Sequence, residues 1–143
     1  MQIGVETAKA VDQRRVFVID SDEITRAAIQ FMLHDEIETH ELASLEEAYA
    51  RGAEWLKPDL VILGVALIGT AGPALVGEIA AHWPAARVLV VTGKEDEEIA
   101  LSALRAGAHG ALLKPLRIEA VRMKDDTILG HPGGAPLGQL GGL

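Results

Sequence analysis

Pro58-Asp59-Leu60-Val61-Ile62-Leu63-Gly64 is an apolar run that ends in a glycine. The run is continuous rather than alternating, which predicts a strand buried on both faces of a parallel sheet. A more polar run at Ile37–Leu42 is typical of a sheet edge. Three other runs resemble the first, and these are Arg15–Ile19, Val88–Val91 and Ala111–Leu113. The sequence therefore predicts five strands.

Helical patterns separate these strands. Helices are expected near 24–31, at 44–55, from 73 to before Pro84, at 95–107 and at 117–129, with a loop over 65–72. Strands and helices that alternate in this way predict an α/β domain, in which helices cover both faces of a parallel sheet.

Two of these helices carry specific signals. The second begins with a capping box, in which Ser44 is followed three residues later by Glu47, and it is expected to continue to about Trp55. The first has an apolar stripe at the spacing of a helix that packs on a sheet, formed by Ile24, Ala27, Ala28 and Phe31. We expect this stripe to face the core.

Size and composition limit the class of protein. The chain has 143 residues, 49% of them hydrophobic, which is enough for one domain with a single core. A formal charge of −8 without a basic cluster argues against direct binding to nucleic acid. The chain has no cysteine and no apolar run of signal-peptide or membrane-spanning length. A cytoplasmic protein without a membrane anchor is expected.

Three segments are predicted along the chain. Residues 1–14 are polar and weakly patterned, and they are expected to form a flexible N-terminal arm. Residues 15–129 are expected to form the domain itself. Residues 130–143 are rich in glycine and proline, which predicts a tail without regular structure of its own.

The residues at the carboxyl ends of four predicted strands are expected to meet. In open α/β sheets, ligands bind at this edge. The residues are Asp20, Ser21 and Asp22 after the first strand, Gly64 after the third, Thr92 after the fourth and Lys114 after the fifth. The sequence therefore predicts one crevice that these residues line.

In their order and spacing, these strand-end residues resemble those of the bacterial response-regulator receiver domain, a CheY-like family. The resemblance implies a flavodoxin-like (βα)5 fold, a doubly wound parallel sheet with strand order 2-1-3-4-5. In that family an aspartate at the position of Gly64 attacks a phosphohistidine and becomes an acyl phosphate. Two adjacent acids after the first strand help to hold Mg²⁺. The hydroxyl and the lysine that match Thr92 and Lys114 bind the phosphoryl oxygens, and the lysine precedes a proline through a bond that is commonly cis.

The chain departs from the family pattern at the phosphorylation site. Gly64 lacks the nucleophile and a metal ligand, and Ser21 replaces the second acid. Ala111 stands where an aromatic side chain often reports phosphorylation. The loop after the third strand has Ile68 and Ala71 in place of a proline and an aspartate. We therefore expect a pseudo-receiver that is not an enzyme, is not phosphorylated at the usual site, and uses no metal or cofactor.

The other residues of the crevice are expected to have structural roles. Lys114 is expected to form an ion pair with Asp20, since a partly buried ammonium needs a partner. A helix cap is at least as good an interpretation of Thr92 as a ligand contact. Asp22 is expected at a helix N-terminus, where its charge is favoured. Asp59 belongs at the far end of its strand, about 17 Å from residue 64, and cannot replace the acceptor.

Loss of the acceptor favours a signalling module that works by protein–protein contact. The expected partners are a sensor kinase, an output domain or another receiver, and not nucleic acid or a membrane. Receiver domains commonly dock or form homodimers through their fourth helix, fifth strand and fifth helix. Here that face would include Ala103, Leu104, Ala111, Leu112, Val121 and Arg122.

Two alternatives stay open at this point. In one, phosphotransfer persists on an unusual acceptor such as Asp20, Asp22 or Ser21, although no histidine is placed to serve as a base. In the other, the glycine after the third strand opens space at a crevice lined by Asp20, Thr92 and Lys114, and a small molecule is sensed there. A direct transcription factor is disfavoured because no helix-turn-helix segment follows the domain.

Overall fold

The computed structural model describes residues 12–53 and 56–130. Its strands are β1 Asp12–Ile19, β2 Ile37–Leu42, β3 Leu60–Gly64, β4 Arg87–Thr92 and β5 Gly110–Leu113. Its helices are α1 Glu23–Leu33, α2 Leu45–Arg51, α3 Val65–Ala71, α4 Ala74–His82, α5 Glu97–Arg105 and α6 Ile118–Leu129, with a short 3-10 helix at Lys94–Asp96. Most of the predicted N-terminal arm, the predicted end of the second helix at Trp55, and the predicted tail beyond residue 130 lie outside the described residues.

The five strands form one parallel sheet. Their order is β2-β1-β3-β4-β5, and each neighbouring pair is parallel. This confirms the predicted flavodoxin-like topology with strand order 2-1-3-4-5. It also confirms that the polar strand β2 lies at an edge.

Helices cover both faces of the sheet, so the core has two layers. On one face, Val16 and Val18 of β1 pack with Ile29 of α1 and Val121 of α6. On the other face, the alternate β1 residues pack with residues of α2, α3, α4 and α5, and these β1 residues are Phe17 and Ile19. Burial on both faces explains why the strands read as continuous apolar runs.

The segment expected to be a loop over 65–72 is a helix, α3. Its residues Val65 and Ile68 are buried on the sheet, and Gly72 ends the helix with a φ of 91° and an N–H that donates to the carbonyl of Ile68 at 2.7 Å. Ile68 stands where the resemblance implies a proline, and it keeps the N–H that a proline would lack. The segment can therefore be helical throughout.

The other element boundaries differ from the prediction at β1, at the end of α2 and before α5. Helix α2 ends at Arg51 with Gly52 as its C-cap, so the prediction of a helix to about Trp55 is wrong. Strand β1 begins at Asp12, three residues before the predicted start, and Arg14 ties it to the end of α6 by donating to the carbonyls of Leu129 and Gly130. Helix α5 follows a 3-10 turn instead of beginning directly with its run of acids.

The capping box is confirmed in part. The Ser44 hydroxyl accepts the N–H of Glu47 at 3.1 Å, but Glu47 Oε1 accepts the N–H of Ala43 at 2.7 Å rather than that of Ser44.

The predicted buried stripe of α1 faces solvent. Ile24 is 79% exposed and Phe31 is 71% exposed. The buried residues of α1 are Thr25, Ile29 and Leu33, which lie about 150° around the helix from the predicted stripe. Both stripes have helical spacing, and the packing of α1 on β1 and β2 selects the second.

In the described ranges, no single helix has the length and apolar character to cross a membrane. Helices α3 and α4 pass that test of length and composition only as a pair, and they meet at a bend of 105°.

Candidate functional site

The carboxyl ends of β1, β3, β4 and β5 lie along one edge of the sheet. Asp20 directly follows β1, Gly64 ends β3 beside β4, and Thr92 ends β4 beside β5. Lys114 follows β5 and donates its backbone N–H to the carbonyl of Thr92 at 2.9 Å. The fold therefore brings together the residues that the sequence predicted to meet.

The carboxyl group of Asp20 fills the part of this edge next to Gly64. Asp20 is 5% exposed, and its Oδ1 accepts the backbone N–H of Asp22 at 2.9 Å. A Cβ atom built on Gly64 would overlap the carboxyl carbon and both oxygens of Asp20. Even Oδ1, the farthest of the three, would be 2.6 Å away, and real Cβ atoms essentially never come within 3.0 Å of a neighbour. A side chain at position 64 and this conformation of Asp20 exclude each other.

Burial also sets the protonation behaviour of Asp20. Loss of hydration raises the pKa of its carboxyl above the ordinary value. The hydrogen bond from the N–H of Asp22 and the charge of Lys114 lower the pKa, but by less than burial raises it. The folded protein therefore makes this carboxyl harder to ionise than water does.

Two expectations about this crevice are wrong. Lys114 lies nearest to Asp22, with Nζ 4.0 Å from Oδ2, and among the described residues no ion pair joins it to Asp20. Because 41% of the Lys114 side chain is exposed, water hydrates the ammonium and a buried partner is not required. The space expected at Gly64 is also not open, because the Asp20 carboxyl occupies it.

Asp22 caps helix α1. Its Oδ1 accepts the N–H of Ile24 at 3.1 Å, and its Oδ2 accepts the hydroxyl of Thr25 at 2.7 Å. The bond from Thr25 is the main cause that lowers the pKa of the Asp22 carboxyl. This confirms the predicted position of Asp22 at a helix N-terminus.

The oxygens at this edge do not fit Mg²⁺. The ion takes near-octahedral oxygen ligands, one or two of them carboxylates. Asp20 directs its carboxyl toward Gly64, which has no side chain to add as a ligand. Both oxygens of Asp22 accept hydrogen bonds from the first turn of α1. Ser21 is exposed and brings only a hydroxyl. Throughout the part of the chain that the structure describes, no group of three or more His, Cys, Asp or Glu side chains is placed to hold a metal ion.

Thr92 is a buried residue that does not cap a helix. It is 3% exposed, and its hydroxyl donates to the carbonyl of Gly93 at 2.8 Å. The 3-10 turn separates Thr92 from α5, whose N-cap is Asp96, so the expected cap is wrong. The bond between Lys114 and Pro115 is cis, as the resemblance implies.

The face expected for docking corresponds to α5, β5 and α6, because the extra helix α3 shifts the numbering by one. Three of the six residues named for it are core residues and cannot contact a partner: Ala103, Leu112 and Val121. The other three are partly exposed, and they are Leu104, Ala111 and Arg122.

Sequence reasoning missed the apolar side chains that do reach the surface of these elements. They are Leu101 on α5, Leu113 at the end of β5 and Met123 on α6, with exposures of 45%, 52% and 68%. It also missed Arg26, whose Nη1 donates to the carbonyl of Asp20 at 2.8 Å. Arginine is common on helices, so the sequence held no signal for this contact.

The sheet order and the residues along its carboxyl edge define a flavodoxin-like α/β domain of the kind used in two-component signalling. Residues 16–124 match the response regulator receiver domain family. The chain belongs to this family.

Two relatives illustrate its place in the family. A cyclic di-GMP phosphodiesterase of Thermotoga maritima is 31% identical over 110 residues, which are 76% of this chain and 29% of that protein. The DNA-binding transcriptional activator DevR/DosR of Mycobacterium tuberculosis is 30% identical over 121 residues, which are 82% of this chain and 55% of that protein. The chain thus spans less than two thirds of the length of either relative.

Solved structures support the same assignment. A response regulator from Thermotoga maritima superposes with a TM-score of 0.73 at 26% identity, over 83% of this chain and 99% of that chain. The receiver domain of NtrX from Brucella abortus has a TM-score of 0.73 at 28% identity, over 82% of this chain and 99% of that chain. Both matches extend over nearly the whole of the compared chain.

Proposed function

We propose that this receiver domain signals through protein–protein contact and is not phosphorylated at residue 64. The observation that carries the proposal is the position of the Asp20 carboxyl, which fills the volume of a side chain at Gly64. A glycine cannot act as the nucleophile that forms an acyl phosphate. The domain would then be a pseudo-receiver, whose state is set by its partners rather than by a phosphoryl group.

The neighbouring residues are poor substitutes for the acceptor. Asp20 is 5% exposed and its Oδ1 is bonded to a backbone N–H, so a phosphodonor cannot reach it in this conformation. The carboxylate of Asp22 is committed to the start of α1. Ser21 is exposed, but among the described residues no base is hydrogen-bonded to its hydroxyl, and hydroxyls are weak nucleophiles without one.

We further propose that the partners are signalling proteins, namely a sensor kinase, an output domain or another receiver. The negative formal charge, −8, favours proteins over nucleic acid. The face formed by α5, β5 and α6 offers the exposed apolar side chains of Leu101 and Leu113. A second copy of the chain that uses the same face would bury them in a two-fold dimer.

Incubation with acetyl phosphate and Mg²⁺, followed by intact-mass spectrometry, tests the first part. The wild-type chain is expected to gain no phosphoryl group. The variant Gly64→Asp/Ser21→Asp supplies a nucleophile and a second acid, and it serves as the positive control if it gains one. Robust uptake by the wild-type chain overturns the proposal, and phosphopeptide mapping would then identify the acceptor.

Sedimentation equilibrium tests the homodimer. A Leu113→Glu substitution is expected to weaken self-association of the chain at least tenfold, because a charge would be buried in the apolar contact. Ile24→Glu, which changes an exposed apolar residue on α1, is the control and is expected to have no effect. A wild-type chain that stays monomeric at every concentration rules out the homodimer.

A further inference from the structure

Helix α6 buries a carboxyl group that has no hydrogen-bond partner among the residues that the structure describes. Asp125 is 5% exposed, and neither of its oxygens is bonded to any residue in the described ranges. Asp125 and Val121, one helical turn apart, are the buried residues of α6. Val121 belongs to the core layer that α1 completes with Ile29 and Leu33. The carboxyl therefore lies on the inward stripe of α6, next to apolar side chains.

Arg122, one turn before Asp125, does not neutralise this carboxyl. Its Nε donates to the carbonyl of Met32 at 2.9 Å, at the end of α1. Its Nη2 lies 3.1 Å from Asp35 Oδ1, and its Nη1 lies 3.0 Å from Glu36 Oε2. The guanidinium thus joins α6 to the C-terminal end of α1 and makes no hydrogen bond with the Asp125 carboxyl.

The other charged groups near the Asp125 carboxyl either disfavour its ionised form or contact other atoms. Burial first, then the charges of Asp126 and Glu36, raise the pKa of Asp125 to about 7. Arg14 of β1 donates to carbonyls at the end of α6, and the alkyl chain of Lys124 lies beside β5. Strand β5 itself brings no charged side chain.

We propose that Asp125 makes the packing of α6 against α1 depend on pH, with the neutral carboxyl keeping the helices packed and its ionised form loosening α6. The folded state holds this proton more tightly than the unfolded chain does. The stability that Asp125 contributes is therefore fully present at pH values below the ordinary pKa of a carboxyl. It is lost as the pH rises through about 7. The effect of pH on the packing of α6 does not involve residue 64. It is therefore expected whether or not the domain is phosphorylated.

Hydrogen exchange on the full chain tests the proposal. Amides of α6 are compared at about pH 5.5 and about pH 8.5, with rates corrected for intrinsic exchange and α4 on the opposite face as the reference. In the wild-type chain, opening of α6 is expected to increase about tenfold or more at the higher pH. The increase is expected to persist in Asp126→Asn, which changes the exposed neighbour, and to vanish in Asp125→Asn.

Opening of α6 that does not change with pH in the wild-type chain overturns the proposal, and so does an equal change in Asp125→Asn. If Asp125→Asn does not fold, a ¹³C NMR titration of the wild-type Asp125 carboxyl tests the proposal instead. A midpoint near 7 that coincides with the opening of α6 supports the proposal. A midpoint in the ordinary range of aspartate, or one that does not coincide with the opening, overturns it.

Discussion

The carboxyl group of Asp20 lies where a side chain on Gly64 would begin. A Cβ atom there would come within 2.6 Å of Asp20 Oδ1. These two positions, at the ends of different strands, compete for one volume at the carboxyl edge of the sheet. Adding a carboxylate at position 64 therefore requires Asp20 to move as well.

Because of this competition, Gly64→Asp alone is not expected to give efficient Mg²⁺-dependent phosphorylation. The new carboxylate must displace that of Asp20, and two adjacent carboxylates in a buried site disfavour each other's charge. Ser21 still leaves the metal short of a carboxylate. Intact-mass spectrometry after treatment with acetyl phosphate measures the result. The expectation is wrong if the single variant is phosphorylated as fast as Gly64→Asp/Ser21→Asp.

Asp20→Asn is expected to stabilise the fold more at high pH than at low pH. Burial raises the pKa of Asp20, so the stability that this carboxyl contributes is full below its unfolded pKa and is lost as the pH rises through its folded pKa. Asparagine keeps an oxygen for the N–H of Asp22 and carries no charge. Urea unfolding across a pH series measures the effect, with the exposed Glu119→Gln as control. A gain that is equal at every pH would refute the prediction.

The two stripes of α1 can be distinguished by their stability cost. Ile29→Ala removes a fully buried side chain and is expected to cost about 2–5 kcal/mol of unfolding free energy. Phe31→Gln changes a side chain that is 71% exposed and is expected to change it by no more than about 0.5 kcal/mol. Chemical denaturation measures both. If Phe31→Gln lowers the unfolding free energy as much as Ile29→Ala, then Ile29 does not lie on the buried face of α1.

Two glycines should respond to alanine in opposite ways. A Cβ on Gly52 would lie 2.6 Å from the ring of Trp83, whose Nε1 donates to the Gly52 carbonyl at 3.0 Å. The ring is buried and cannot move freely, so Gly52→Ala is expected to cost about 1–3 kcal/mol. Gly77, inside α4, has no atom within 4 Å of such a Cβ, and Gly77→Ala is expected to stabilise by about 0.5–1 kcal/mol. Urea unfolding compares the two variants, and similar values would contradict the packing described for Gly52.

The sheet could be predicted because its signals are local. Residues buried on both faces must all be apolar, so Leu60–Leu63 and Val88–Val91 read as strands without knowledge of their neighbours. Parallel strands also place their carboxyl ends at one edge, which is why Asp20, Thr92 and Lys114 were expected to meet. The capping box at Ser44 is equally local, since both partners lie within one helical turn.

The errors concern choices between local patterns of similar strength. Helix α1 has two apolar stripes, and the contacts that bury Ile29 rather than Ile24 come from strands elsewhere in the chain. The segment 65–72 is short and has two glycines, so its helical state depends on packing of Val65 and Ile68 against the sheet. Neither choice is encoded in the spacing of residues within the segment.

The amino-acid sequence determined that residue 64 is a glycine and therefore carries no carboxylate. Only the tertiary structure decided what lies in its place. The conformation of Asp20 depends on the space between the ends of β1 and β3, and on the N–H of Asp22 that holds one carboxyl oxygen. A side-chain position of this kind arises from contact between residues far apart in the chain, because steric exclusion acts between atoms that only folding brings together.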